Sequence, residues 1–68
     1  MEHETHKIIE KIREKRIEQK ISLLNLASDT GISHSHLYYI ESKRVIPSID
    51  VLVKISKALD VSLKDLVE

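Results

Sequence analysis

The chain of 68 residues has no cysteine, no tryptophan and no phenylalanine, and a single glycine and a single proline. Without cysteine there is no disulfide framework and no thiolate metal site, which fits a reducing compartment. One glycine and one proline leave little room for hairpins. The only aromatics are two adjacent tyrosines, Tyr38 and Tyr39. No apolar run approaches the roughly 18 residues of a membrane span. The charged N-terminal segment lacks the apolar region of a secretory signal. A cytoplasmic protein that does not engage a membrane is therefore expected. Charge of one sign is missing too: 11 basic and 11 acidic residues give a formal net charge of zero. A chain this short makes one domain, here residues 1–68, with 1–4 expected to fray. Its core is modest, so dimerisation is a natural supplement.

The charges are unevenly spread. Residues 7–20 hold six basic side chains, Lys7, Lys11, Arg13, Lys15, Arg16 and Lys20, while the stretch from Pro47 carries Asp50, Asp60, Asp65 and Glu68. A cationic face can coexist with a neutral total.

Apolar periodicity predicts five helices. The first spans about Thr5 to Gln19, with Ile8, Ile9 and Ile12 on one stripe. Arg16 falls in the middle of that stripe, either snorkelling to water or buried and in need of a partner. Ser22 caps the second helix, which carries Leu23, Leu26 and Ala27 and stops at Gly31. Ser33 caps the third, which runs to about Ser42. Leu37 and Ile40 set its core direction. Ser35 and Ser42 then point away from the core, Tyr38 and Tyr39 flank that outward direction, and Glu41 lies at the boundary. Ser48 caps the fourth helix, Ile49 to Leu59. It is apolar nearly all round and is expected to be the most buried. Ser62 caps the fifth, with Asp65 at the third position in capping-box style and Leu63, Leu66 and Val67 as its apolar face. The expected fold is a compact all-α domain.

The second and third helices, joined by a short turn containing glycine, suit insertion of the later helix into a DNA major groove. Many helical hairpins share that geometry and bind nothing. The order of signals says more. Ile21-Ser22, Leu26-Ala27, Gly31-Ile32-Ser33, Leu37, Ile40-Glu41, Pro47-Ser48, Leu52, Ile55, Ala58-Leu59 and Val61-Ser62-Leu63 together resemble the Cro and phage-repressor type (Xre-like) helix-turn-helix family. The resemblance covers about residues 8–67. It implies that the helix after Ser33 is a recognition helix. Base reading then falls on His34, Ser35 and Tyr39, with Tyr38 beside them. Phosphate contact falls on Ser22, Ser33, His36, Ser42, Lys43 and Arg44. Some members of the family join the positions of Arg16 and Glu41 by an ion pair, and its two-fold contact often uses the last helix, here Leu63, Leu66 and Val67.

The chain departs from the family pattern at three places. Leu23 replaces a frequent phosphate-binding glutamine and, with Leu24, hints at a protein contact. Lys20 and Lys43 stand where glycine is usual. If their backbones are left-handed, each carries a small strain.

Metal and catalytic readings have little support. His34 and His36 lie about 200° apart round a helix and cannot share an ion. His3 and His6 are spaced for one, but on a terminus expected to fray. There is no glycine-rich phosphate loop and no nucleophile–base arrangement. No cofactor, no metal and no catalysis are expected. The reading is a dimeric transcriptional regulator, a repressor, acting on double-stranded DNA at a two-fold operator. The rival is a protein-interaction module of the same fold, antitoxin-like or regulator-binding, with a protein partner in place of DNA. Zero net charge, Leu23-Leu24 and the lack of arginine in the recognition helix favour that rival.

Overall fold

The computed structural model describes residues 4–67, and the element order is α1 Glu4–Glu18, α2 Leu23–Thr30, α3 His34–Glu41, α4 Ile49–Ala58 and α5 Leu63–Val67. The fold is all-α, as the periodicity predicts. Residues 1–3, part of the segment expected to fray, and His3 of the candidate histidine pair lie outside the described residues. Glu4, also assigned to that segment, is instead the first residue of α1.

The starts of the helices follow the serines. Ser22 Oγ accepts from Asn25 N–H, Ser33 Oγ from His36 N–H and Ser48 Oγ from Val51 N–H. Ser62 and Asp65 close a reciprocal capping box. Each serine satisfies one of the amides that a helix start leaves unpaired.

The stops are less orthodox. Gly31 adopts φ 75° and donates to Ala27 C=O. Lys20, Lys43 and Asp60 are also left-handed, at φ 58°, 66° and 56°. Around each, two backbone bonds fold the chain back: Lys20 N–H to Ile17 C=O with Ile21 N–H to Arg16 C=O, Lys43 to Ile40 with Arg44 to Tyr39, and Asp60 to Lys57 with Val61 to Ser56. These are Schellman closures made without glycine. Asp60 gave no signal in the sequence that would set it apart from a right-handed residue.

Ile9, Ile12, Leu26, Ala27, Leu37, Ile40, Leu52, Ile55, Leu59 and Leu66 form the core. α3 packs on α1 and α2, while α5 packs on α1 and α4. As expected, α4 carries more buried residues than any other helix, Leu52, Ile55 and Ser56, although it is not covered all round. α4 packs on α2 and α5, while Ile49 at its start is 67% exposed and Val51 and Val53 are only partly covered.

Candidate nucleic-acid interface

α3 is held by its apolar stripe and by one charged tie. Leu37 and Ile40 are sunk in the core. At the C-terminal end, Arg16 Nε donates to Glu41 Oε2 at 2.8 Å and Arg16 Nη2 to Glu41 Oε1 at 2.9 Å. Arg16 Nη1 also donates to the Ile21 C=O at 2.8 Å. The side chains are 14% and 9% exposed. The guanidinium sits in the apolar stripe of α1 and uses three of its donors on a carboxylate and a carbonyl. This bidentate geometry has directional as well as charge complementarity. It joins α1, the turn before α2, and α3.

The opposite side of α3 faces out. His34, Ser35 and His36 are exposed, and Tyr38 and Tyr39 are 52% and 43% exposed. The two rings meet edge to face, centroids 5.8 Å apart and planes at 65°. The Arg44 guanidinium lies over the Tyr39 ring, 5.9 Å from its centroid. The helix therefore presents an ordered group: an aromatic pair with a cation on one face.

The serines differ in what they can still offer. Ser22 and Ser33 accept from cap amides, so each keeps its hydroxyl proton to donate outward. Ser42 Oγ donates to the Tyr39 carbonyl at 3.1 Å, so its proton is already used. Lys43 Nζ donates to Glu10 Oε1 at 2.7 Å, an exposed pair between the turn after α3 and α1. Glu10 was not singled out by sequence reasoning, because nothing local signals a contact across 33 positions. Arg13 was also missed. It lines a shallow cleft between α1 and α3 with Leu23, Tyr38 and Ser42.

The last helix corrects one expectation. Leu66, assigned above to a dimer contact, is only 1% exposed and belongs to the core of its own protomer. A residue already covered by its own chain has no surface left for a second copy. Leu63 is partly buried against the same core, while Val67 is exposed. Among the described residues there is no cluster of side chains able to hold a metal ion, and no helix is long and apolar enough to cross a membrane.

A sequence model of the helix-turn-helix family matches residues 12–66, most of the chain, α2 and α3 included. The chain belongs to the helix-turn-helix family. Within this Cro-like group such domains are the DNA-binding part of transcriptional regulators, which are not enzymes. The N-terminal DNA-binding domain of SinR from Bacillus subtilis is 39% identical to this helix-turn-helix domain and superposes with a TM-score of 0.85, each chain being covered to 93%. The restriction-modification controller protein C.AhdI from Aeromonas hydrophila is 26% identical with a TM-score of 0.86, over 91% of this chain and 94% of that one. An uncharacterized HTH-type transcriptional regulator of Sinorhizobium fredii, y4dL, is 32% identical over 63 residues. That match takes in 93% of this chain, which spans about a third (32%) of the length of that relative.

Proposed function

We propose that this domain is a sequence-specific reader of double-stranded DNA in a cytoplasmic transcriptional regulator, and that it works as a homodimeric repressor on a two-fold operator. The observation that carries the proposal is α3, whose polar and aromatic side chains face outward while Leu37, Ile40 and the Arg16–Glu41 tie hold it to the rest of the fold. SinR, of the same fold and 39% identical, is seen in complex with DNA.

In this reading His34, Ser35, Tyr38 and Tyr39 meet base edges. Ser22, Ser33, His36, Lys43 and Arg44 hold phosphates, and Ser42 joins them only by giving up its bond to Tyr39 C=O. Lys43 reaches phosphate by exchanging the Glu10 carboxylate for it. One α3 covers only a few base pairs, so two copies on half-sites about one helical turn apart supply the specificity. Leu63 and Val67 are the parts of α5 available for the two-fold contact. Sedimentation at high micromolar concentration should show a dimer, and a monomer there would remove this part of the reading.

A protein-interaction role is favoured by one observation, the 65% exposed Leu24 at the start of α2, where a phosphate-facing domain has more use for a polar side chain. SinR is itself found in complex with SinI. Selection from a random DNA pool, followed by a salt titration, separates the two. A DNA reader enriches a two-fold sequence and loses affinity linearly on a logarithmic salt scale, with a slope of about −0.9 per neutralised phosphate. Absence of any enriched sequence would leave the interaction module standing.

A further inference from the structure

We infer that the Tyr38–Tyr39 pair reads the C5-methyl groups of pyrimidines, so that thymine methyls in the major groove are a principal source of sequence information for this domain. The inference rests on the DNA-binding reading above and names what that surface recognises.

The first observation is what α3 does not carry. Its sequence, His34–Glu41, is HSHLYYIE. It has no arginine or lysine for bidentate contact with guanine, and no asparagine or glutamine for adenine. Its single carboxylate, Glu41, is committed to Arg16 through both oxygens. What remains outward is two histidines and a serine, each able to make single hydrogen bonds, and two phenol rings.

The second observation is how those rings are held. Each is about half exposed, and they lie edge to face at 5.8 Å. Arg44 covers Tyr39 from a third direction. A tyrosine has few torsions to freeze, and here the pair and the cation already restrict them. The rings are thus a fixed apolar surface on either side of the outward direction, with Ser35 one turn before Tyr39. Covering that surface with the phosphate backbone gains nothing from its apolar character. The apolar group that a major groove offers is the methyl at C5 of thymine. 5-Methylcytosine presents the same chemistry, and the test below tells the two apart.

The experiment starts with selection by the full chain from two random pools, one unmodified and one with every cytosine 5-methylated. The enriched site from the unmodified pool is then resynthesised with deoxyuridine in place of each thymine in turn, which removes one methyl and keeps every hydrogen-bonding group. The expected result is a loss of affinity of about fourfold, the value of one buried methyl, at one or two positions in each half-site. Tyr39→Phe should retain that discrimination, because the ring remains. Tyr39→Ala should bind thymine and uracil versions alike, and since Tyr39 lies outside the core this variant stays folded. Enrichment that depends on methylated cytosine would support the methyl reading with 5-methylcytosine as the source. Equal binding at every deoxyuridine position without dependence on methylated cytosine would overturn the inference and leave DNA binding intact, as would a Tyr39→Ala protein that still discriminates. Enrichment from neither pool would remove DNA binding itself, and this inference with it.

Discussion

Glu41→Gln keeps the size of the side chain and removes its charge. In the native protein the carboxylate receives Arg16 Nε at 2.8 Å and Nη2 at 2.9 Å, and the pair is largely shielded from water. The amide can accept only one of those bonds. Its nitrogen faces a guanidinium donor, so the second bond becomes a donor–donor contact. Arg16 is left as a part-buried cation that keeps one bond to the amide oxygen and its bond to the Ile21 carbonyl. Outright removal of one member of a buried pair typically costs about 3–5 kcal/mol. Retention of one bond places the glutamine variant at the lower end, about 3 kcal/mol. At roughly 0.05–0.15 kcal/mol per residue, a chain of this size has a total stability of only about 3–10 kcal/mol. The urea midpoint, followed by far-UV circular dichroism, should therefore fall by about 3 M for a slope near 1 kcal/mol/M. Replacing both partners, Arg16→Met with Glu41→Leu, should recover most of the loss, except for about 1 kcal/mol at the Ile21 carbonyl, which then lacks its donor. A Glu41→Gln midpoint indistinguishable from wild type would show that solvent, not the pair, carries the charge.

Three further outcomes follow from the same geometry. Lys43→Gln or Arg44→Gln should weaken binding to cognate and random DNA alike and flatten the salt slope by about one phosphate equivalent; a loss confined to the cognate site would mean that these side chains read bases. Lys20→Gly relieves a left-handed strain of about 1–2 kcal/mol at some cost in unfolded-state entropy; a net gain of about 0.5–1 kcal/mol in thermal melting is expected, and a loss would mean that the lysine side chain contributes more than its backbone costs. Ser33→Ala removes the cap of α3 and should cost about 1 kcal/mol in urea unfolding, without changing the order of base preferences in a selection experiment.

The parts legible in the sequence are those encoded locally. Ser22, Ser33, Ser48 and Ser62 announce helix starts, and the three-to-four spacing of Leu37 and Ile40 fixes which way the tyrosines point. Position within one helix also flagged Arg16 as anomalous, although its partner came from the family resemblance. What the sequence hid depends on neighbours. Periodicity shows that α4 has apolar residues on many sides and is well buried, but not that Ile49 at its start stays outside the cover of α2 and α5. Leu66 looked like the middle of a free face because nothing in a five-residue helix says how deeply it is seated. The Glu10–Lys43 bond joins residues that only tertiary structure brings together. Asp60 passed as ordinary because aspartate tolerates left-handed backbone without requiring it.

The self-closing helix ends at Lys20, Lys43 and Asp60 have a kinetic meaning. Each turn is completed by two backbone bonds spanning a few residues, so the chain reverses direction without first closing a long loop. The entropy of loop closure grows with loop length, and helical domains dominated by local contacts fold within about microseconds to milliseconds. Rapid refolding after each transient opening is thus expected of a domain whose chain turns are themselves small units of structure.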